Sequence, residues 1–530
     1  MESSTPLDSG LSDPLNNGST ESKQDTTAGD TPGLLSGSVL ILVASVFGCG
    51  LNYLFGIYLA RVLGAGDFGV YAIGLNVFNI LILLAPLGLD TTIMKYVSQA
   101  IGLGETHRIR SYILVAGAVT LICGACFGLC LGLSSGWVAE KIFGKPELTR
   151  VLAVFAIGIP VAAVSAVLLS SLRALHDIRQ FVSIKYVLEP VGKFVLAAAA
   201  VWIGWGLAGV LGAILAIFTV GAFATIACLL RMTGYHTGHH YAEWRSNAVT
   251  LLLFSAPLVV SNLFGIIAPR SDMLFIGAWF ASSDAGIYSA ASQTAAIIGL
   301  IMTAFHSAVI PMIGTVIARK DQVRLKLLYR FTSRWTMTLS LMIFVCFALF
   351  GGEILQLFGR DFAAGLPWLI ILAAGHLVNS ASGPATATII MAGRPKIILM
   401  NAVVMGLFLI GANMVLIPRY GPLGAAWAMA LHVGAGSVLF MAEARWLCGV
   451  TPCSRGMAKS LCAGAAALAG GFFMTSELKP SPAIAGALVA AIFGAVLLVL
   501  KLEDEDREAL RELARKVRPF ARWFPVPFPE

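Results

Sequence analysis

Four charged residues lie deep inside apolar runs, where charge is rare in this chain. Glu189 and Lys193 are four positions apart, so a helix puts them on one face, within pairing distance. Pro190 follows the glutamate and kinks such a helix, leaving a polar break. Arg270 and Asp272 fall in a second run, toward its outer end. A guanidinium matches the oxygens of a phosphate, which makes Arg270 the foremost candidate for an anion contact. Lys193 would meet the same anion, with Glu189 tuning or releasing it, or carrying a proton. The competing accounts are structural: a packing ion pair for Glu189 and Lys193, and an outer-interface salt bridge for Arg270 and Asp272. His376, with Asn379 close by, and His432 lie in the middle of other runs. Each can bond a hydroxylated ligand or titrate, or be a histidine bonded between packed helices. His306 and Glu443 lie nearer the inner ends of runs, and Asp90 faces water or Lys95. Asn52, Asn76, Asn79 and Asn262 either line a polar cavity or tie helices together.

The elements that must position these groups follow from composition. Of 530 residues, 58% are hydrophobic and only 12% charged, against roughly 25% charged in a soluble domain. The apolar runs are each about 20 residues long, enough to cross ~30 Å of hydrocarbon as a helix. They lack the alternation of a membrane barrel. The spacing predicts an all-α, polytopic membrane protein with about fourteen spans. They fall near 34–60, 67–92, 112–133, 151–172, 183–203, 206–230, 249–279, 285–317, 335–358, 366–391, 396–417, 422–446, 457–474 and 482–500. A charge at the bilayer centre costs about 2.5–3.5 kcal/mol, so the intramembrane charges are functional candidates by default.

Loop charge sets the orientation. With the N-terminus in the cytoplasm, nineteen Lys and Arg, from Lys95 to Lys459, fall on the inner side. Seven fall outside: Arg61, Lys141, Lys145, Arg150, Arg360, Arg419 and Lys479. That bias puts both termini inside. The basic excess therefore calls for no nucleic acid. Residues 1–33 read as a disordered tail without a signal peptide's basic start or cleavage site. Residues 501–530 carry an apolar stripe ringed by Arg507, Arg511, Arg515, Lys516 and Arg518. That pattern fits a helix on the inner leaflet or a solvated one. Cys123, Cys126 and Cys130 share a helix face without His or carboxylate partners, which suggests small-residue packing and no metal. His236, His239 and His240 crowd the linker 232–248, where a metal site competes with a plain loop.

The chain repeats itself. Asp67-Phe68-Gly69-Val70-Tyr71 returns as Asp284-Ala285-Gly286-Ile287-Tyr288, 217 residues later. Ala156-Ile157-Gly158 returns as Ala373-Ala374-Gly375 at the same offset, and Gly206-Leu207-Ala208-Gly209 as Gly421-Pro422-Leu423-Gly424 at 215. Six spans per copy is even, so the copies share one orientation. This predicts two parallel six-helix lobes, 34–231 and 249–446, joined by 232–248, with two extra helices in 447–500. Paired lobes suggest alternating access to a substrate held between them.

The stretch Leu59-Ala60-Arg61-Val62-Leu63-Gly64-Ala65-Gly66-Asp67-Phe68-Gly69-Val70-Tyr71 resembles the N-terminal signature of the polysaccharide transporters. These are the lipid-linked oligosaccharide flippases of the multidrug/oligosaccharidyl-lipid/polysaccharide superfamily. Arg61, Leu63, Gly64, Phe68, Gly69 and Tyr71 fill the pattern. Leu87-Gly88-Leu89, Ser255-Ala256-Pro257-Leu258, Gly286-Ile287-Tyr288 and Leu357-Phe358-Gly359 fit it too, and the resemblance runs over about residues 35–500. Physically, Arg61 caps the outer end of the first helix, the glycines allow a tight turn, and Asp67 can cap the second helix.

The resemblance implies a flippase that moves an undecaprenyl-diphosphate-linked repeat unit from inner to outer leaflet, with a polar, often cationic central cavity. Membrane lipids, a polysaccharide polymerase and a chain-length regulator are the implied partners. Arg270, Lys193, Glu189, Asp272, His376 and Asn379 are the candidate substrate-binding residues, and no cofactor is expected. The chain holds no phosphate-binding Gly-x-x-x-x-Gly-Lys-Ser/Thr loop. Two other readings remain: a multidrug or small-solute antiporter of the same superfamily, and a membrane polysaccharide polymerase or ligase. The short outer loops and the duplication argue against an enzyme.

Overall fold

Backbone crossing hydrocarbon has no water to bond, so each crossing must satisfy itself. In the computed structural model it does so by helices alone: among the described residues, 31–233, 241–477 and 482–499, there is no strand. The N-terminal copy of the repeat holds α1 (Thr31–Leu84), α2 (Leu89–Gly102), α3 (Thr106–Trp137), α4 (Leu148–Ala174), α5 (Ile178–Val182), α6 (Glu189–Trp202) and α7 (Gly206–Thr233). The second holds α8 (Tyr241–Asn262), α9 (Ser271–Trp279), α10 (Ser282–Ala318), α11 (Gln322–Gln356), α12 (Leu366–Ser382), α13 (Ala385–Met391), α14 (Pro395–Tyr420) and α15 (Pro422–Cys448). Then come α16 (Arg455–Glu477) and α17 (Pro482–Val499), which pack on each other and on α11. The two tails and the histidines of the linker lie outside the described residues.

Eleven segments among the described residues are long and apolar enough to cross a membrane, and the first, Leu40–Gly102, runs across two expected spans. The fourteen expected spans are therefore not all met as uninterrupted helices. The expected second span runs too far: α1 ends at Leu84, and positive φ angles at Leu87 (52°) and Gly88 (77°) turn the chain into the separate, amphipathic α2. The expected tenth span breaks at Gly383, φ 60°, between α12 and α13. The fifth and seventh spans are interrupted by π turns, at Ser183–Leu188 and Leu263–Ile267.

α1 is two helices joined at Gly64, whose φ of 74° and ψ of 173° only glycine adopts without strain. Asp67, expected to cap the second arm, makes no side-chain hydrogen bond among the described residues. Gly144 and Gly359, and Gly206 and Gly421, are positive-φ glycines 215 residues apart; Gly206 opens α7 and the other three lie ahead of a helix.

The lobes meet chiefly through α1 and α10. At Gly69 an added Cβ would run into the Ser282 carbonyl, and at Gly286 into the Ala65 carbonyl, so the two backbones touch. Around this contact the apolar core is continuous across both lobes, from Leu59 and Phe68 to Ile276, Phe358 and Phe362. At the opposite end it divides. One cluster gathers Leu89, Ile93, Val97, Leu172 and Leu229 of the N-lobe with Leu251 of α8. Another gathers Ile313, Leu325, Tyr329 and Ile389 of the C-lobe alone. The first half of the C-lobe's opening helix thus sides with the N-lobe, where the Lys95 ammonium sits 3.7 Å from the Phe254 ring centroid and Asn247 donates to Ser111 at 2.9 Å. Lys95 lies over that ring and not against Asp90.

Candidate functional site

The π turns of the fifth and seventh spans each precede a proline, and each proline precedes a half-buried cation; a third π turn, Val138–Ile142, ends α3. Pro190 and Pro269 lack an N–H, and their rings crowd the carbonyls four residues back, Tyr186 and Gly265. Each of those carbonyls lies in a π turn, which widens the helix there. Lys193 follows the first break on α6; Arg270 ends the second, where a short 3-10 turn leads into α9.

The two arms of α1 hold these breaks. Lys193 Nζ donates to Asn52 Oδ1 on the first arm, and its ammonium sits 4.6 Å from the Phe55 ring centroid. Asn76, on the second arm, donates to the Arg270 carbonyl at 2.8 Å. Asn52 is twelve residues before Gly64 and Asn76 twelve after it, so each is about 18 Å down its arm from the turn. A ~30 Å apolar core that began at Gly64 would have both near its middle. Arg270 was expected nearer the outer end; the nine residues of α9 that follow it put about 14 Å of helix between it and that end.

The expected pairings are not the ones made. Glu189 pairs with Lys185, 2.8 Å away, and makes no ion pair with Lys193. Arg270 and Asp272 make no ion pair either. The Arg270 guanidinium donates to the Ile266 carbonyl at 2.6 Å and, among the described residues, to no other protein group. Asp272 is 6% exposed, accepting from the Tyr288 hydroxyl and its own neighbour's N–H at Met273, both at 2.6 Å. The outer-interface salt bridge is thereby replaced by a buried carboxylate–phenol pair. Asn413 of α14, fully buried, donates to Ser271 Oγ at 3.0 Å and completes the hold on the break.

His376 and Asn379 stand apart, on α12. Asn379 accepts from Ser437 at 2.9 Å, an α12–α15 tie. The His376 ring makes no hydrogen bond among the described residues and faces Gly299 of α10, while its carbonyl accepts from the Ser380 hydroxyl at 3.1 Å. His432 bonds the Met405 carbonyl at 3.0 Å, His306 the Gly383 carbonyl at 3.3 Å, and Glu443 accepts from Asn401 at 2.7 Å, so these three tie helices together. Asn79 and Asn262 are half-buried without a side-chain bond among the described residues. Cys126 and Cys130 point outward; the close α3–α4 packing is made by Gly124 and Gly128 against Pro160 and Ala156. Sequence reasoning missed Lys185, Tyr288 and Asn413. Asn413, alone among apolar neighbours in an expected span, carried a signal; the other two did not.

Arg61 caps a helix end, but not its own: Nε donates to the Leu357 carbonyl at the end of α11, 2.6 Å away. Lys145, in the loop between α3 and α4, donates to the carbonyls of Gly277 at 2.5 Å and Phe280 at 2.8 Å, and to Phe143 at 3.2 Å. Burial pulls its ammonium below the ordinary range, with Glu147 and Asp284 pulling it back up.

The family model described as "Polysaccharide biosynthesis protein" matches residues 34–316, more than half of the chain. The chain belongs to this family. A second model, MatE, matches residues 257–416. Among curated relatives, the probable low-salt glycan biosynthesis flippase Agl15 of Haloferax volcanii is 24% identical over 407 residues, 77% of this chain and 82% of that protein. The succinoglycan biosynthesis transport protein ExoT of Rhizobium meliloti is 26% identical over 332 residues. That match takes in 61% of this chain and 62% of the relative, so under two thirds of it is spanned. The lipid II flippase MurJ in an inward closed conformation superposes with a TM-score of 0.66 at 14% identity, over 86% of this chain and 98% of that one. An inward-facing multidrug MATE transporter superposes at 0.59 and 16%, over 78% and 98%. The polysaccharide family member described here is thus a multi-pass helical membrane protein with the superfamily fold that its signature suggested.

Proposed function

We propose that this protein is a flippase that carries a polyprenyl-diphosphate-linked oligosaccharide from the inner to the outer leaflet by alternating access, for cell-surface polysaccharide synthesis. One observation carries the reading. Two cationic residues from opposite lobes meet the two arms of α1 at matching positions, twelve residues either side of Gly64: Asn52 accepts from the Lys193 ammonium and Asn76 donates to the Arg270 backbone carbonyl. A diphosphate brings two or more negative charges, and a guanidinium with most of its donors unused suits phosphate oxygens. The core divides at the basic end, so a headgroup entering from that side meets these cations before the continuous core blocks it. The lipid tail stays outside.

In this reading no bond is made or broken, and the protein is no enzyme. The basic end faces the cytoplasm, both termini lie there, and the membrane is a bacterial plasma membrane. The lobes are 34–231 and 249–446. A polymerase and a chain-length regulator receive the product. His376 and Asn379 serve packing first, with His376 open to a ligand between α10 and α12.

The antiporter reading draws on the match of residues 257–416 to the second family model. It needs a titrating carboxylate, and the N-lobe's deep one, Glu189, is already paired with Lys185. The test is exposure of a fluorescent polyprenyl-diphosphate oligosaccharide at the outer leaflet of proteoliposomes. Loss of exposure in Lys193→Met and Arg270→Ala, with folding intact, supports the reading. Proton-driven drug efflux without lipid exposure supports the antiporter.

A further inference from the structure

Two cations of the N-lobe reach across to the C-lobe at the Gly64 end, and each lands on the carboxyl end of a helix. Arg61 takes the Leu357 carbonyl beyond α11; Lys145 takes the Gly277 and Phe280 carbonyls at the end of α9. The last carbonyls of a helix have no partner within it and carry the negative pole of its dipole. An ammonium with three donors spends two on the opposite lobe and one on its own loop.

The corner does not need this bond in order to fold. The repeat places Arg360 opposite Lys145, each following a positive-φ glycine, Gly359 and Gly144, 215 residues apart. Arg360 is exposed and bonds to nothing among the described residues. The same corner thus exists without the bond in one lobe and with it in the other. What differs is the neighbour: α9 is nine residues long, starts directly after Arg270, and ends on Lys145. A hold on its carboxyl end fixes the position of the cation at its start.

We propose that Lys145 is a latch between the lobes: it keeps the Gly64 end shut by holding α9, and it must release Gly277 and Phe280 before the lobes part there. The latch rests on the transport reading only for what passes through; lobe separation can be read without substrate.

The reporter is Thr294→Cys in the full-length protein in sealed vesicles. Thr294 is fully buried beneath this end, bonded to the Tyr53 hydroxyl at 3.0 Å across the lobe boundary. An impermeant thiol reagent is added to one face or the other, and peptide-resolved mass spectrometry reads this cysteine apart from the native ones. Lys145→Met keeps the apolar stem and donates nothing; it is expected to raise the labelling rate about tenfold from the Gly64 side. Lys145→Arg, which still donates, is expected to stay slow. Equal rates in Lys145 and Lys145→Met, or a rise from the opposite face only, overturn the latch. Should Lys145→Met not accumulate, Lys145→Gln, too short to hold two carbonyls, is read by the same criterion. Vesicles that move no glycan lipid yet show the rise count against the transport reading and for the latch.

Discussion

Glu189 closes its ion pair with Lys185, one helical turn before it, and not with Lys193, one turn after. The ammonium of Lys193 instead lies between Asn52 and the face of Phe55, without a carboxylate of its own. A cation bonded to neutral groups and in no ion pair keeps its charge available to an anionic ligand. A cation already paired would not.

That difference separates two substitutions. Lys193→Met is expected to cut lipid exposure in vesicles at least tenfold while leaving the melting temperature close to wild type. Glu189→Gln is expected to keep transport and to cost little stability. The glutamine amide oxygen still accepts from the Lys185 ammonium, whose side chain is 45% exposed, while the Glu189 side chain is only 11% exposed. Transport surviving Lys193→Met but lost in Glu189→Gln would reverse the assignment.

Arg270 should discriminate charge from shape. Arg270→Lys retains the charge but loses the planar fork, and it is expected to transport more slowly than wild type. Arg270→Ala is expected to fail. Equal rates for lysine and arginine at this position would mean that charge alone is read there.

The carboxylate of Asp272 depends on Tyr288. Removing the hydroxyl in Tyr288→Phe leaves one carboxylate oxygen buried without its donor, a loss of about 1–3 kcal/mol. Differential scanning fluorimetry of the detergent-solubilised protein is expected to show a lowered melting temperature. An unchanged one would mean that the oxygen finds another partner.

Part of this was legible in the sequence. Apolar runs announced a multi-pass helical protein, and Pro190 announced a break on the fifth span; the 217-residue offset remains the basis for the proposed two lobes. The pairings were not legible. Residue spacing offers Glu189 two lysines, at −4 and +4, and only the π turn and the position of Asn52 on another helix decide between them. The depth of Arg270 was misjudged because a run of apolar residues does not reveal where it breaks; Pro269 was visible, but the path that the chain takes around it was not. Proximity in sequence offered Arg270 as a salt-bridge partner for Asp272 as the alternative to a substrate role, while the partner Asp272 takes, Tyr288, lies sixteen residues on, in α10. Contacts between helices depend on rotation and register, which a single sequence leaves open.

Backbone contact between the lobes gives a packing test. At Gly69 and Gly286 a methyl group would meet backbone carbonyls that cannot move aside. Gly69→Ala and Gly286→Ala are expected to lower the yield of folded protein. Gly50→Ala, where an added Cβ meets nothing within 4 Å, is expected to be silent or to gain about 0.5–1 kcal/mol from helix propensity. Equal yields for all three would mean that α1 and α10 do not meet as closely as described.

In the proposed function a lipid-linked glycan passes between the lobes by way of Lys193 and Arg270. The most direct measurement places a fluorescent polyprenyl-diphosphate oligosaccharide in proteoliposomes and follows its appearance at the outer leaflet. Wild-type protein is expected to expose it, and Lys193→Met and Arg270→Ala to expose it no faster than empty vesicles while remaining folded. Wild-type vesicles that behave like empty ones across several glycans, or folded variants that expose the lipid at the wild-type rate, would contradict it.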